Sequence, residues 1–275
     1  MTFRHLLGAA ALLAASAAPS RADMVSYYVG VDSLATIASG TYAGLANPNQ
    51  GRLTLLYNHG DHYHGKGTHV YTGPNLGAGT AVTVSPSNYL PEAAAPPFEL
   101  TPGTGAFAGM LVSGQTPDVG GSDIRIGSVD ALAAAAPGSD EAILFNSSGG
   151  RWTGSVADAE LAIELVSASA GLSILDASGD SLFGGGSILA LGLGGASLDF
   201  APVFAATGPG DYAASFRLID LRDGGLGDSG VFEYRFRATV PEPGGIVMGA
   251  IGGMAMSALA IRSRFRSRRK AVEAA

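Results

Sequence analysis

Tyr212-Ala213-Ala214-Ser215-Phe216-Arg217-Leu218 and Val231-Phe232-Glu233-Tyr234-Arg235-Phe236-Arg237 decide the fold. In the first stretch Tyr212, Ala214, Phe216 and Leu218 share one parity. In the second, Val231, Glu233, Arg235 and Arg237 share one parity and Phe232, Tyr234 and Phe236 the other. A strand points successive side chains to opposite faces, so period-two alternation marks half-buried β-strands. Asp223-Gly224-Gly225 and Gly227-Asp228-Ser229-Gly230, residues that favour turns, lie between the two stretches. The pair is expected to form a hairpin.

Working outward, short runs of β-branched, aromatic and aliphatic residues recur at 25–31, 52–57, 70–72, 81–84, 107–112, 142–145, 161–166, 172–175, 187–191 and 197–204. Many of the 41 glycines flank these runs as turn signals. The stretch 131–136 is alanine-rich and fits one helical turn or a loop, and no long amphipathic helix or internal repeat is present. The expectation is an all-β, β-sandwich-like domain over residues 23–239.

Both ends of the 275-residue chain read differently from this body. Met1 to His5 carries Arg4, and residues 6–18 are an unbroken small and apolar run followed by Pro19-Ser20-Arg21-Ala22. A basic start, a core shorter than the roughly 20 residues that span a bilayer and a small-x-small exit define a cleavable secretory signal. The expected cut follows Ala22, giving a signal at 1–22 and signal peptidase as one partner. At the other end, Val240-Pro241-Glu242-Pro243 precedes an apolar stretch at 244–261 and then Arg262, Arg264, Arg266, Arg268, Arg269 and Lys270. Eighteen apolar residues are near the lower limit for a transmembrane helix, and a basic cluster after it orients the main domain outside the cytoplasm. Gly245, Gly249 and Gly253 would allow close helix contact within the span.

Removing both ends concentrates the charge. Residues 23–243 hold eight basic against 22 acidic side chains, a formal charge of −14 in place of the whole chain's −7. Such a surface repels nucleic acid and anionic lipid and favours cations. There is no cysteine, so no disulfide framework holds the domain even in an oxidising compartment.

Four of the five histidines fall within eleven residues, in Asn58-His59-Gly60-Asp61-His62-Tyr63-His64-Gly65-Lys66-Gly67-Thr68-His69. Neutral imidazole is the commonest ligand for zinc, and a structural site takes four donors at about 2.0–2.1 Å. On a strand His62 and His64 share a face while His59 and His69 have the opposite parity, so one flat strand cannot gather all four. Gly60, Gly65 and Gly67 give the backbone room to turn, and strand candidates on either side place the segment in an exposed hairpin or loop. Asp61 serves either as an oxygen ligand or as the partner that holds an imidazole tautomer. The expected metal ligands are therefore His59, His62, His64, His69 and Asp61, and the expected ion is Zn2+.

Two motifs imitate hydrolases. Gly227-Asp228-Ser229-Gly230 matches the surroundings of a trypsin-like nucleophile, and Gly179-Asp180-Ser181-Leu182 the opening of a GDSL esterase. A serine nucleophile needs a histidine base, and no histidine follows His69. Both read as turns, and no catalytic residues are expected. Asp176 and Asp180, and Asp220, Asp223 and Asp228, offer oxygen donors for calcium, but Asp beside Gly is ordinary turn chemistry and neither set has EF-hand spacing.

The tail resembles the PEP-CTERM sorting signal: Pro241, Glu242 and Pro243 match its triplet and 262–270 its arginine-rich end. The resemblance implies processing by an exosortase and display at the cell surface. Tyr27-Tyr28-Val29-Gly30-Val31-Asp32, Ile37-Ala38-Ser39-Gly40-Thr41-Tyr42-Ala43-Gly44-Leu45, Arg52 to Leu56, His62-Tyr63-His64-Gly65, Val70-Tyr71-Thr72-Gly73-Pro74 and Gly227 to Tyr234 extend it. Together they resemble the Zur-repressed PEP-CTERM proteins. Because Zur senses zinc, the resemblance implies a surface protein made under zinc limitation to bind or retain the metal. The alternative is a metal-indifferent structural protein of the cell surface or matrix.

Overall fold

The computed structural model describes residues 27–77, 80–85, 97–114, 124–195, 198 and 200–239. The expected signal at 1–22 and the tail at 240–275, with its triplet Pro241-Glu242-Pro243 and span 244–261, lie outside the described residues. No described helix is long and apolar enough to cross a membrane.

The described chain is mostly β. Its strands are β1 (Tyr27–Val31), β2 (Leu53–Asn58), β3 (Tyr63–Lys66), β4 (Val70–Thr72), β5 (Thr83–Ser85), β6 (Phe98–Pro102), β7 (Leu111–Val112) and β8 (Ile126–Ser128). After the single α-helix, α1 (Asp140–Asn146), come β9 (Glu160–Ala168), β10 (Leu172–Leu175), β11 (Ile188–Leu193), β12 (Val203–Ala206), β13 (Gly210–Asp220) and β14 (Phe232–Ala238). One sheet has the order β3-β2-β1-β8 and a second β10-β12-β7-β6-β14-β13-β9-β11, while β4 and β5 pair alone.

β13 and β14 form the expected antiparallel pair, with Phe216 opposite Phe232, Ala214 opposite Tyr234 and Tyr212 opposite Phe236. This register puts the aromatic parity of β14 on the face that Phe216 and Leu218 share. Burial alternates accordingly, with Phe232, Tyr234, Phe236 and Ala238 buried and Arg235 and Arg237 exposed. Against this face pack Tyr27, Val29, Val31, Leu53 and Leu55 from the first sheet, so both sheets share the main core. The other parity of the first sheet supplies Tyr28, Leu56 and Tyr63 to a smaller core with Val129, Leu132, Leu144 and Trp152. β1 is therefore buried on both faces along its whole length, which holds β2 and β3 from two sides.

Three expected strands differ; in 197–204 the described residues 198 and 200–202 are not strand, and β12 begins only at Val203. Residues 142–145 lie in α1, because Ser139 caps the helix by accepting a hydrogen bond from the Ala142 N–H at 3.2 Å and Asp140 and Glu141 place negative charge in its first turn. Residues 107–112 begin in a 3₁₀ turn at Gly105–Phe107 and become strand only at Leu111–Val112. A second 3₁₀ turn, Val129–Leu132, accounts for the start of the alanine-rich stretch. β3, β6 and β8 are strands that the residue pattern does not announce.

Candidate metal centre

β2 and β3 are the two arms of a hairpin. Tyr57 pairs with His64 and Asn58 with Tyr63, and beyond the ladder the His59 N–H donates to the His62 carbonyl at 2.9 Å. Gly60 and Asp61 are left as the two-residue turn. Gly60 has φ +95° and no non-glycine residue among the described residues has positive φ, the pattern of a type II′ turn with glycine at the first central position. Asn58 steadies it, its Oδ1 accepting from the Gly60 N–H at 2.7 Å.

This turn solves the parity problem that a single strand poses. Residues directly opposite in an antiparallel pair share a face, so the His59/His62 and Tyr57/His64 pairs project on the same side. The face is continuous with the main core: Leu53 and Leu55 are buried, Tyr57 is half-buried, and His59 stands exposed at the tip. The hairpin thus carries a buried apolar stripe that turns into imidazole where it leaves the body.

His59, His62 and His64 each offer a ligand atom, and these atoms lie within 4.8 Å of one another. His62 Nε2 and His64 Nε2 are 3.0 Å apart. Two ligands 2.0–2.1 Å from a tetrahedral zinc would be separated by about 3.3 Å, so this pair needs to open by only a few tenths of an ångström. The His59 ring lies 4.5 Å from that of His64 and 5.3 Å from that of His62, nearly parallel to the latter at 18°. Gathering all three nitrogens around one ion requires the His59 side chain to rotate, a fast motion at an exposed position.

Asp61 Oδ1 is 2.6 Å from His62 Nδ1. In neutral His62 this bond places the proton on Nδ1 and leaves the Nε2 lone pair facing His64, the carboxylate–histidine arrangement that orients a metal ligand. The His62 imidazole, through the hydrogen bond first and its charge second, holds the Asp61 carboxyl below its usual range. Asp61 thus stands where it would orient His62 toward an ion, the second of its two expected roles.

His69 lies elsewhere. Its backbone is gripped at the start of β2, where the His69 N–H donates to Asn49 Oδ1 at 2.5 Å and Asn49 Nδ2 donates to its carbonyl at 2.8 Å. That end is roughly 20 Å along the strand from the tip, at about 3.3 Å per residue. Its ring meets the backbone of Asp228 and Ser229, while Nε2 is buried with no hydrogen-bond partner among the described residues. Burial, with the nearby Arg52 charge, pushes the His69 imidazole below its ordinary pKa, and the Asp228 and Ser229 backbone acts in the opposite sense. The expected four-histidine set is thus three at the tip and one at the base.

The motifs set aside as turns also have structural explanations. Ser229 is buried, its hydroxyl accepting from the Leu218 N–H at 2.9 Å and donating to the Gly230 carbonyl at 2.8 Å. Asp176 Oδ1 accepts from the N–H groups of Ser178 and Asp180. Asp220 accepts from the N–H groups of Glu160, Arg222 and Leu226 and from the Arg222 guanidinium. These carboxylates organise turns.

No protein-family model, no curated protein and no solved structure matches this chain.

Proposed function

We propose that this is an exported, surface-sorted protein that binds zinc through the His59, His62 and His64 tip and serves zinc capture or storage when the metal is scarce. The observation that carries the reading is the convergence of three imidazoles on one face of the β2–β3 hairpin, with Asp61 orienting one of them. Exposed imidazole nitrogens without a thiolate or a carboxylate cage suit zinc and its transition-metal neighbours and do not suit calcium or magnesium.

The rest of the reading fits this centre. A signal at 1–22 and a PEP-CTERM-like end at 240–275 make signal peptidase and an exosortase the processing partners, with the membrane engaged through 244–261. A −14 body draws cations toward the tip and disfavours nucleic acid. The two sheets, read as β-sandwich-like, are the rigid carrier, and no catalytic role is assigned.

Equilibrium dialysis of the purified full-length chain against zinc tests the reading. One zinc retained per chain at micromolar or tighter affinity supports it. No retention leaves the metal-indifferent structural protein of the surface or matrix.

A further inference from the structure

We propose that the tip holds its ion with three protein ligands only, and that the remaining coordination position is filled by an exogenous small ligand, so that the bound ion is exchangeable. The inference rests on the metal-binding reading and adds the coordination number and its consequence.

Among the described residues no fourth histidine joins the tip. The chain contains no cysteine and five histidines. Three form the tip. His69 is anchored by Asn49 at the base of the hairpin, and His5 belongs to the segment expected to be removed on export. The carboxylate in the turn itself, Asp61, is hydrogen-bonded to His62 Nδ1 through Oδ1.

The surroundings also determine which side is open. Toward the body the histidine face is closed by Tyr57, whose ring stands edge-on to His59 at 4.7 Å. Below it Lys66 places its ammonium 5.7–5.9 Å from the ring centres of Tyr27, Tyr57 and Tyr234, so a cation lies under the aromatic floor. Away from the body His59 and His62 are exposed and His64 half-exposed. An ion held here has aromatic side chains on one side and solvent on the other.

Closed four-ligand zinc sites are structural, whereas three protein ligands with an open position characterise sites where the ion meets another molecule. An incoming imidazole, thiolate or anion can therefore bind the ion before the protein ligands release it, which is the chemistry of hand-over. Storage in a closed site would lack that route.

Cobalt substitution tests this on the chain with residues 1–22 removed, which no longer carries His5. Co2+ is added, its visible spectrum recorded, and azide titrated. The expected result is a shift in the cobalt bands that saturates at one azide per cobalt, in a protein that stays at its metal-free mass by light scattering. A cobalt spectrum that azide in large excess leaves unchanged overturns the open position, as does metal-driven dimerisation in which a second copy completes the site. His69→Ala is expected to leave the cobalt spectrum unchanged; a changed spectrum with unchanged circular dichroism overturns the three-ligand assignment. Absence of any cobalt spectrum is the separate failure, that of the metal-binding reading itself.

Discussion

Asp61 offers a quantitative perturbation of the proposed centre because its carboxylate is bonded to His62, one of the three proposed ligands. Its carboxylate lies 2.6 Å from His62 Nδ1 and 79% of its side chain is exposed. Partners of this kind contribute about 10–100-fold to metal affinity where the shell is enclosed. Solvent competes strongly for so exposed a bond, which puts Asp61→Asn at the lower end, about tenfold weaker zinc binding. Asp61→Ala removes the acceptor altogether and is expected to cost somewhat more. The two differ from a ligand deletion in that one zinc still binds per chain. Competition against a chromophoric chelator at fixed pH and ionic strength measures the change. Zinc affinity in Asp61→Asn equal to wild type would refute the orienting role. A loss as large as that of His62→Ala would show Asp61 to be a direct ligand.

Asp220 tests the electrostatics of the body. Its side chain is fully buried and the Arg222 guanidinium, helped by the backbone N–H groups of Leu226, Arg222 and Glu160, holds its carboxyl well below the usual carboxylate range. A depressed folded-state pKa contributes stability above the unfolded value of about 3.9 and loses it as pH falls through the folded value. Asp220→Asn is expected to lower stability by about 1–3 kcal/mol at neutral pH and to flatten the loss below about pH 4; identical acid-unfolding curves would contradict this. Gly67 has φ +61°, a Cβ there would sit 2.5 Å from the Gly230 carbonyl oxygen, and its own carbonyl accepts from the Gly230 N–H at 2.5 Å. Gly67→Ala is therefore expected to cost about 1–3 kcal/mol, read by urea denaturation with the fluorescence of the sole tryptophan, Trp152. Replacing Pro241 and Pro243 by Ala is expected to block processing of the tail; unchanged size and location after fractionation would leave an ordinary membrane anchor.

The strands carrying most apolar residues were legible in sequence because period two is visible when one face is buried, as in β13 and β14. β1 and β2 were legible for the opposite reason, since burial on both faces leaves runs that are apolar on both parities, Tyr27 to Val31 and Leu53 to Tyr57. β3 was not, because its four residues, Tyr63 to Lys66, bury only Tyr63. Missing it left the histidine segment as a hairpin or loop and hid the cross-strand pairing that brings His59 beside His62. The readable signal was Gly60-Asp61 between Tyr57-Asn58-His59 and His62-Tyr63-His64, a two-residue turn flanked by aromatic residues. Ala142 to Phe145 is a short apolar run that fits strand or helix, and the Ser139-Asp140-Glu141 cap before it decides for α1. The distance of His69 from the tip follows from its bonds to Asn49, a contact across twenty residues that spacing alone does not reveal.

The central claim, that His59, His62 and His64 form one metal centre on a preformed hairpin, is tested most directly by zinc titration of wild type beside His62→Ala/His64→Ala, with circular dichroism on both metal-free proteins. The account predicts one zinc per wild-type chain, affinity weaker by more than about 100-fold in the double variant because two direct ligands are lost, and superimposable spectra because the two cores do not depend on the ion. Equal zinc affinity in the double variant would contradict the site, and an unfolded metal-free wild type would contradict the preformed hairpin.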